Sequence, residues 1–112
     1  MDKTRLEMLQ SFVEKKPNDP FSWYGLAMEY SRLDQFDRAV ETFMRVIQID
    51  PLYSAAHYHQ GQVLERQGKR SEARQVYRDG IAAAASKGDA HSQGELQDAL
   101  DALSDPPPQS DR

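Results

Sequence analysis

Cysteine is absent from this 112-residue sequence, and with it go disulfide frameworks, thiolate nucleophiles and zinc–thiolate sites. Long hydrophobic runs are absent too. The longest, Ile81-Ala82-Ala83-Ala84-Ala85, falls far short of the roughly 20 apolar residues that cross a bilayer, so no membrane partner is expected. The opening Met1-Asp2-Lys3-Thr4 leads into alternating charge without an apolar leader stretch, which points to a cytoplasmic protein without a secretory signal. Basic charge is in deficit: 14 Lys and Arg stand against 18 Asp and Glu, a formal net charge of -4. A chain so balanced is poorly suited to a phosphate backbone, and nucleic acid is not an expected partner. Sustained period-two alternation is also missing, so strands are not expected. What remains is 38% apolar residues in a chain of about one domain's length, enough for one core.

The sequence repeats itself. A step of 34 residues carries Pro17 to Pro51, Tyr24 to Tyr58, Arg32 to Arg66, Ala39 to Ala73, Phe43 to Tyr77 and Ile47 to Ile81. Such a common register is the mark of stacked structural units. Inside each unit the apolar spacing is helical: Trp23, Leu26, Tyr30 and Leu33 form one stripe, and Phe36, Val40, Phe43 and Ile47 another. Between them lies Arg32-Leu33-Asp34-Gln35, with Arg66-Gln67-Gly68-Lys69 as its counterpart. Gly68 can adopt the left-handed conformation that ends a helix, and Asp34 is among the few other residues that tolerate it. Asp50-Pro51 stops the second helix of the first unit, because proline disfavours helical dihedrals in the residue before it.

The expected architecture is all-α: antiparallel helix-turn-helix repeats of about five helices. One domain over residues 1–103 divides into an opening helix at 3–16, repeat units at 20–53 and 54–87, and a capping helix at 89–103. The opening helix should bury Leu6, Leu9, Phe12 and Val13, and the capping helix Leu96, Ala99, Leu100 and Leu103. Polar residues Glu95, Gln97, Asp98 and Asp101 supply the capping helix with a solvated outer face. Residues 104–112, rich in proline and without an apolar side chain to bury, are expected to form a disordered tail.

Trp23, Leu26, Ala27 and Tyr30, followed by Ala39, Phe43 and Pro51, form a pattern that resembles the tetratricopeptide repeat. The second unit keeps Gly61, Ala73 and Tyr77 but has His57 at the tryptophan position, Gln60 at the leucine position and Leu64 at the second aromatic position. The resemblance implies an α-solenoid in which the first helices of successive units line a concave groove that receives a protein or peptide partner. On that resemblance the groove positions are Phe21, Tyr24, Met28 and Arg32 from the first unit, and Ala55, Tyr58, His59, Gln62, Glu65 and Arg66 from the second. One subfamily grips the carboxylate tails of heat-shock chaperones with lysines and asparagines. The corresponding positions here are Tyr24, Met28 and His59, so the resemblance implies a more apolar or aromatic ligand.

Catalytic constellations are not evident. His57 and His59 are two residues apart, about 200° around a helix, and so do not form a chelating pair. They read as a packing histidine at 57 and surface histidines elsewhere. No serine sits in a nucleophile-elbow context and no glycine loop suits a phosphate. The expectation is a non-catalytic adaptor without cofactor or metal. The alternative is a self-associating homodimer that completes a short stack.

Overall fold

The computed structural model describes residues 4–103, so the proline-rich tail at 104–112 lies outside the described residues. Six helices follow in order: α1 (Arg5–Lys15), α2 (Pro20–Arg32), α3 (Phe36–Ile49), α4 (Ser54–Arg66), α5 (Arg70–Lys87) and α6 (Ala90–Leu103). Six helices stand where about five were expected. No strand occurs among the described residues.

Local chemistry fixes where the helices begin and end. At α1 the Thr4 hydroxyl accepts from the Glu7 amide at 3.1 Å, and the Thr4 amide donates to the Glu7 carboxylate at 2.9 Å, a reciprocal capping box. At α2 Asp19 accepts from the Phe21 amide at 3.1 Å, with Pro20 in the first turn, where its missing N–H costs nothing. Three turns then use one device. Asp34, Gly68 and Gly88 take positive φ of 60°, 77° and 70°, and the next residue's amide reaches back over the turn. Gln35 donates to the Tyr30 carbonyl, Lys69 to Leu64 and Asp89 to Ala84, each at 2.9 Å, satisfying carbonyls that the helix end would leave unpaired.

Each helix packs on the next in sequence, and among the even-numbered helices α4 also touches both α2 and α6, while α1, α3 and α5 do not touch one another. The even helices therefore form the inner layer of a curved stack. Two glycines set the spacing. A Cβ on Gly61 would lie 2.2 Å from the Tyr77 ring, and one on Gly80 would lie 2.7 Å from Cβ of His57 and 3.0 Å from a methyl of Leu96. Ala27, Ala39, Ala56, Ala73 and Ala84 are likewise fully buried. One buried cluster gathers Val13, Leu26, Tyr30, Phe43, Val46 and Val63, a second gathers Leu64, Tyr77, Leu96 and Leu103, and Val40 packs against both.

The divergent residues of the second unit are buried rather than expelled: His57, Gln60 and Leu64 are all inside. Gln60 stands in an apolar position without loss because its amide donates to the Val40 carbonyl at 3.1 Å. Two apolar expectations need correction. Phe12 is 49% exposed, because α1 packs against α2 alone and no further helix among the described residues covers its other side. Leu33 is also exposed: α2 ends at Arg32 and Leu33 is its C-cap, beyond the reach of the buried stripe.

Candidate functional site

A chain of aromatic rings joins the inner layer to the buried rings of α3 and α5 behind it. The Tyr24 ring on α2 lies 5.2 Å from that of Tyr53, 6.1 Å from Phe43 and 5.9 Å from His59. His59 stacks on Phe43 at 6.3 Å and meets Tyr58 edge-on at 5.2 Å, and Tyr58 continues to Tyr77 at 6.4 Å. His59 is thus half-buried, which corrects its reading as a surface histidine. Burial holds its imidazole below the usual range and pushes the Tyr24 phenol up, so the wall these rings form is uncharged near neutral pH.

Two hollows flank this wall. The larger, of about 460 Å³, lies between α1 and α2 and is lined by Arg5, Leu9, Phe21, Tyr24, Gly25, Met28, Glu29 and Arg32. The smaller, of about 230 Å³, lies between α4 and α6 and is lined by Ser54, Ala55, Tyr58, His59, Ser92, Glu95 and Leu96. Phe21 is 69% exposed at the mouth of the first. At its floor Glu29 is buried, accepting from Arg32 Nε at 3.0 Å and a second Arg32 nitrogen at 2.6 Å, with Arg5 Nε at 3.2 Å. The hydrogen bonds from Arg32 hold the Glu29 carboxyl below its ordinary range and raise the guanidinium in turn.

The ten groove positions drawn from the resemblance do not all share one environment. Phe21, Tyr24, Met28 and Arg32 meet in the larger hollow, and Ala55, Tyr58 and His59 in the smaller. Gln62 donates to the Tyr77 hydroxyl at 3.0 Å, and that hydroxyl donates to the Glu65 carboxylate, so these two residues are tied to the α4–α5 seam. Arg66 turns toward the first unit, pairing with Asp34 at 3.3 Å and lying 4.8 Å over the Phe36 ring. The site also contains residues that sequence reasoning missed: Arg5, Leu9, Gly25 and Glu29 at one end, Ser54, Ser92, Glu95 and Leu96 at the other. Part of that signal was present, because the step of 34 that links Tyr24 to Tyr58 lands next on Ser92.

A model of the tetratricopeptide repeat matches residues 24–89, more than half of the chain. The chain belongs to the tetratricopeptide repeat family. It is 30% identical over 91 residues to a TPR repeat-containing protein of Pseudomonas aeruginosa, covering 81% of this chain and 87% of that one. The solution structure of a protein from Bordetella parapertussis is 32% identical with a TM-score of 0.78, over 91% of this chain and 89% of the other. The crystal structure of PcrH in complex with the chaperone binding region of PopD shares the fold at a TM-score of 0.82, with 15% identity over 88% of this chain and 74% of the other. The tetratricopeptide fold is a non-catalytic helical-repeat scaffold for protein binding, and this chain carries it. Among its described residues no helix is long and apolar enough to cross a membrane.

Proposed function

We propose that this tetratricopeptide protein is a cytoplasmic, non-catalytic adaptor that holds a peptide or helix of a partner protein against the inner layer of α2, α4 and α6. The observation that carries the reading is the uncharged aromatic wall of Tyr24, His59 and Tyr58 with a hollow on either side. Tyrosine suits a recognition surface because it offers area and a polar end at little rotamer cost. A groove walled by such rings accepts alternate side chains of an extended segment or the apolar face of a helix.

Tyr24 also packs on Phe43, so its removal disturbs the core together with the surface. Tyr58 packs on the buried Tyr77 in the same way, so Phe21→Ser with Ala55→Gln, both at exposed positions lining the hollows, is the cleaner test. Proteins captured from a lysate by the wild type should be lost by this double variant while its far-UV circular dichroism is retained. Unchanged capture would remove the groove from consideration.

A second reading has its own observation. Met8 and Phe12 on the uncovered side of α1 are 48% and 49% exposed, and a second copy of the chain seated there would bury them. Sedimentation equilibrium tests it: a mass that rises with concentration and reverts in Phe12→Glu supports the homodimer, and a constant monomer mass removes it.

A further inference from the structure

We propose that the α1–α2 end of the groove selects an acidic side chain, an aspartate or glutamate of the partner segment placed between the guanidinium groups of Arg5 and Arg32. An apolar neighbour from the same segment would occupy the hollow beneath. This rests on the groove reading above and assigns the partner its chemistry.

The charge in this hollow is unbalanced. Two guanidinium groups converge on one carboxylate, Glu29, and the other described residues that line the cavity carry no charge. A surplus positive charge thus stands at one end of the groove in a chain whose net charge is -4. The surplus faces outward: the Glu29 side chain is 4% exposed, whereas those of Arg5 and Arg32 are 75% and 64% exposed. Because Glu29 already orients both guanidinium groups, an arriving carboxylate meets donors whose rotamers are largely fixed. Guanidinium is also the side chain best matched to a carboxylate through paired hydrogen bonds.

The apolar half of the site is equally specific in place. Leu9, Tyr24 and Met28 line the hollow and Phe21 projects at its mouth, so a large apolar side chain adjacent to the acid gains burial. The opposite hollow carries Glu95 and neither arginine nor lysine. An acidic residue therefore has one end of the groove to go to, which fixes the direction of the bound segment by charge complementarity.

The test uses a phage-displayed library of random twelve-residue peptides, fused at their C-termini so that only side-chain carboxylates are offered. It is panned on the full chain, on Arg5→Gln and on Arg32→Gln. Arg5→Gln leaves both Arg32 hydrogen bonds to Glu29 intact, so its helical circular dichroism should match the wild type. The expected result is enrichment of Asp or Glu at a fixed spacing from Phe, Leu or Met on the wild type. A synthetic peptide of the selected sequence should bind either variant roughly tenfold or more weakly. Selection of apolar peptides without an acidic preference would overturn the proposal and leave the groove standing. So would binding of that peptide to both variants as tightly as to the wild type. Failure to enrich any peptide on the wild type would overturn both readings.

Discussion

Gly61 shows how little room a single residue has in this stack. A methyl group there would enter the Tyr77 ring, and neither helix can withdraw without opening the α4–α5 contact. Gly61→Ala should therefore cost about 1–3 kcal/mol by overpacking, lowering the midpoint of a thermal melt. Gly94→Ala, at an open position, serves as its control and should lose nothing. Ala39→Leu and Ala73→Leu test the same packing on the outer helices, with a similar cost. If the Gly61 and Gly94 variants melt together, the close approach of α4 and α5 is not what requires glycine.

His57 makes a prediction about pH. Burial holds its imidazole below the usual range, and burial acts on His59 in the same direction. In the unfolded chain these residues take up protons near the ordinary histidine pKa of about 6.5, whereas the folded chain does so only at lower pH. The unfolded state then binds more protons in that window, so stability is intact above about pH 6.5 and falls as pH drops through the folded pKa values. Glu29 and Asp89 have lowered pKa values, so their stabilisation is present above the ordinary carboxylate range and is lost only as pH falls further. Urea unfolding at about pH 7.5 and about pH 5.5 should show the first loss in the wild type and little of it when both histidines are glutamine. An unaltered loss would assign the pH dependence elsewhere.

At the scale of elements, α6 is both an end and a lining. Leu96 and Leu103 are buried against the second cluster, while Arg70 and Arg74 on α5 donate to the Leu103 carbonyl at 3.0 and 3.1 Å, fastening the last turn. Leu96→Ala removes the central apolar anchor and should cost about 2–5 kcal/mol, read from denaturant midpoints. A smaller loss would mean that α6 is held mainly by the Arg70 and Arg74 contacts. The same helix supplies Ser92 and Glu95 to the smaller hollow, so loosening it should also degrade the α4–α6 end of the groove. The opposite end differs. α1 rests on α2 alone, while α6 touches both α5 and α4.

For the whole molecule, that asymmetry predicts a gradient of local stability. In a stack whose units contact only their neighbours, the ends open most readily. Native-state hydrogen exchange should find α1 opening at the lowest free energy, α6 next, and α3 and α4 near the global value. Uniform protection across the six helices would contradict this ordering. The two buried clusters share Val40 as a common neighbour, and its carbonyl accepts from the Gln60 amide of the second unit.

The repeat, the helical class and the turns were legible in the sequence because each depends on local chemistry. Asp34 and Gly68 were marked as left-handed positions by residue type, and both adopt them. Ala27, Ala39, Gly61 and Ala73 were legible as members of the repeat pattern, and all four are buried. Exposure at the ends was not legible: Phe12 lies on an apolar stripe, yet whether that stripe is covered depends on a second neighbouring helix, and among the described residues α1 has only α2. The membership of the site was legible only in part. Arg5 and Glu29 belong to different helices, 24 positions apart in the sequence, and nothing in either helix's own pattern says that they meet.

Periodicity and capping chemistry are short-range, so the sequence by itself determined a repeating all-helical chain, its turns and most of its buried positions. The packing that sets α4 against both α2 and α6, the burial of Glu29 beneath two arginines and the contribution of α6 to the smaller hollow were decided by tertiary structure. They arise from the angles at which helices pack, and those angles depend on every side chain at each interface.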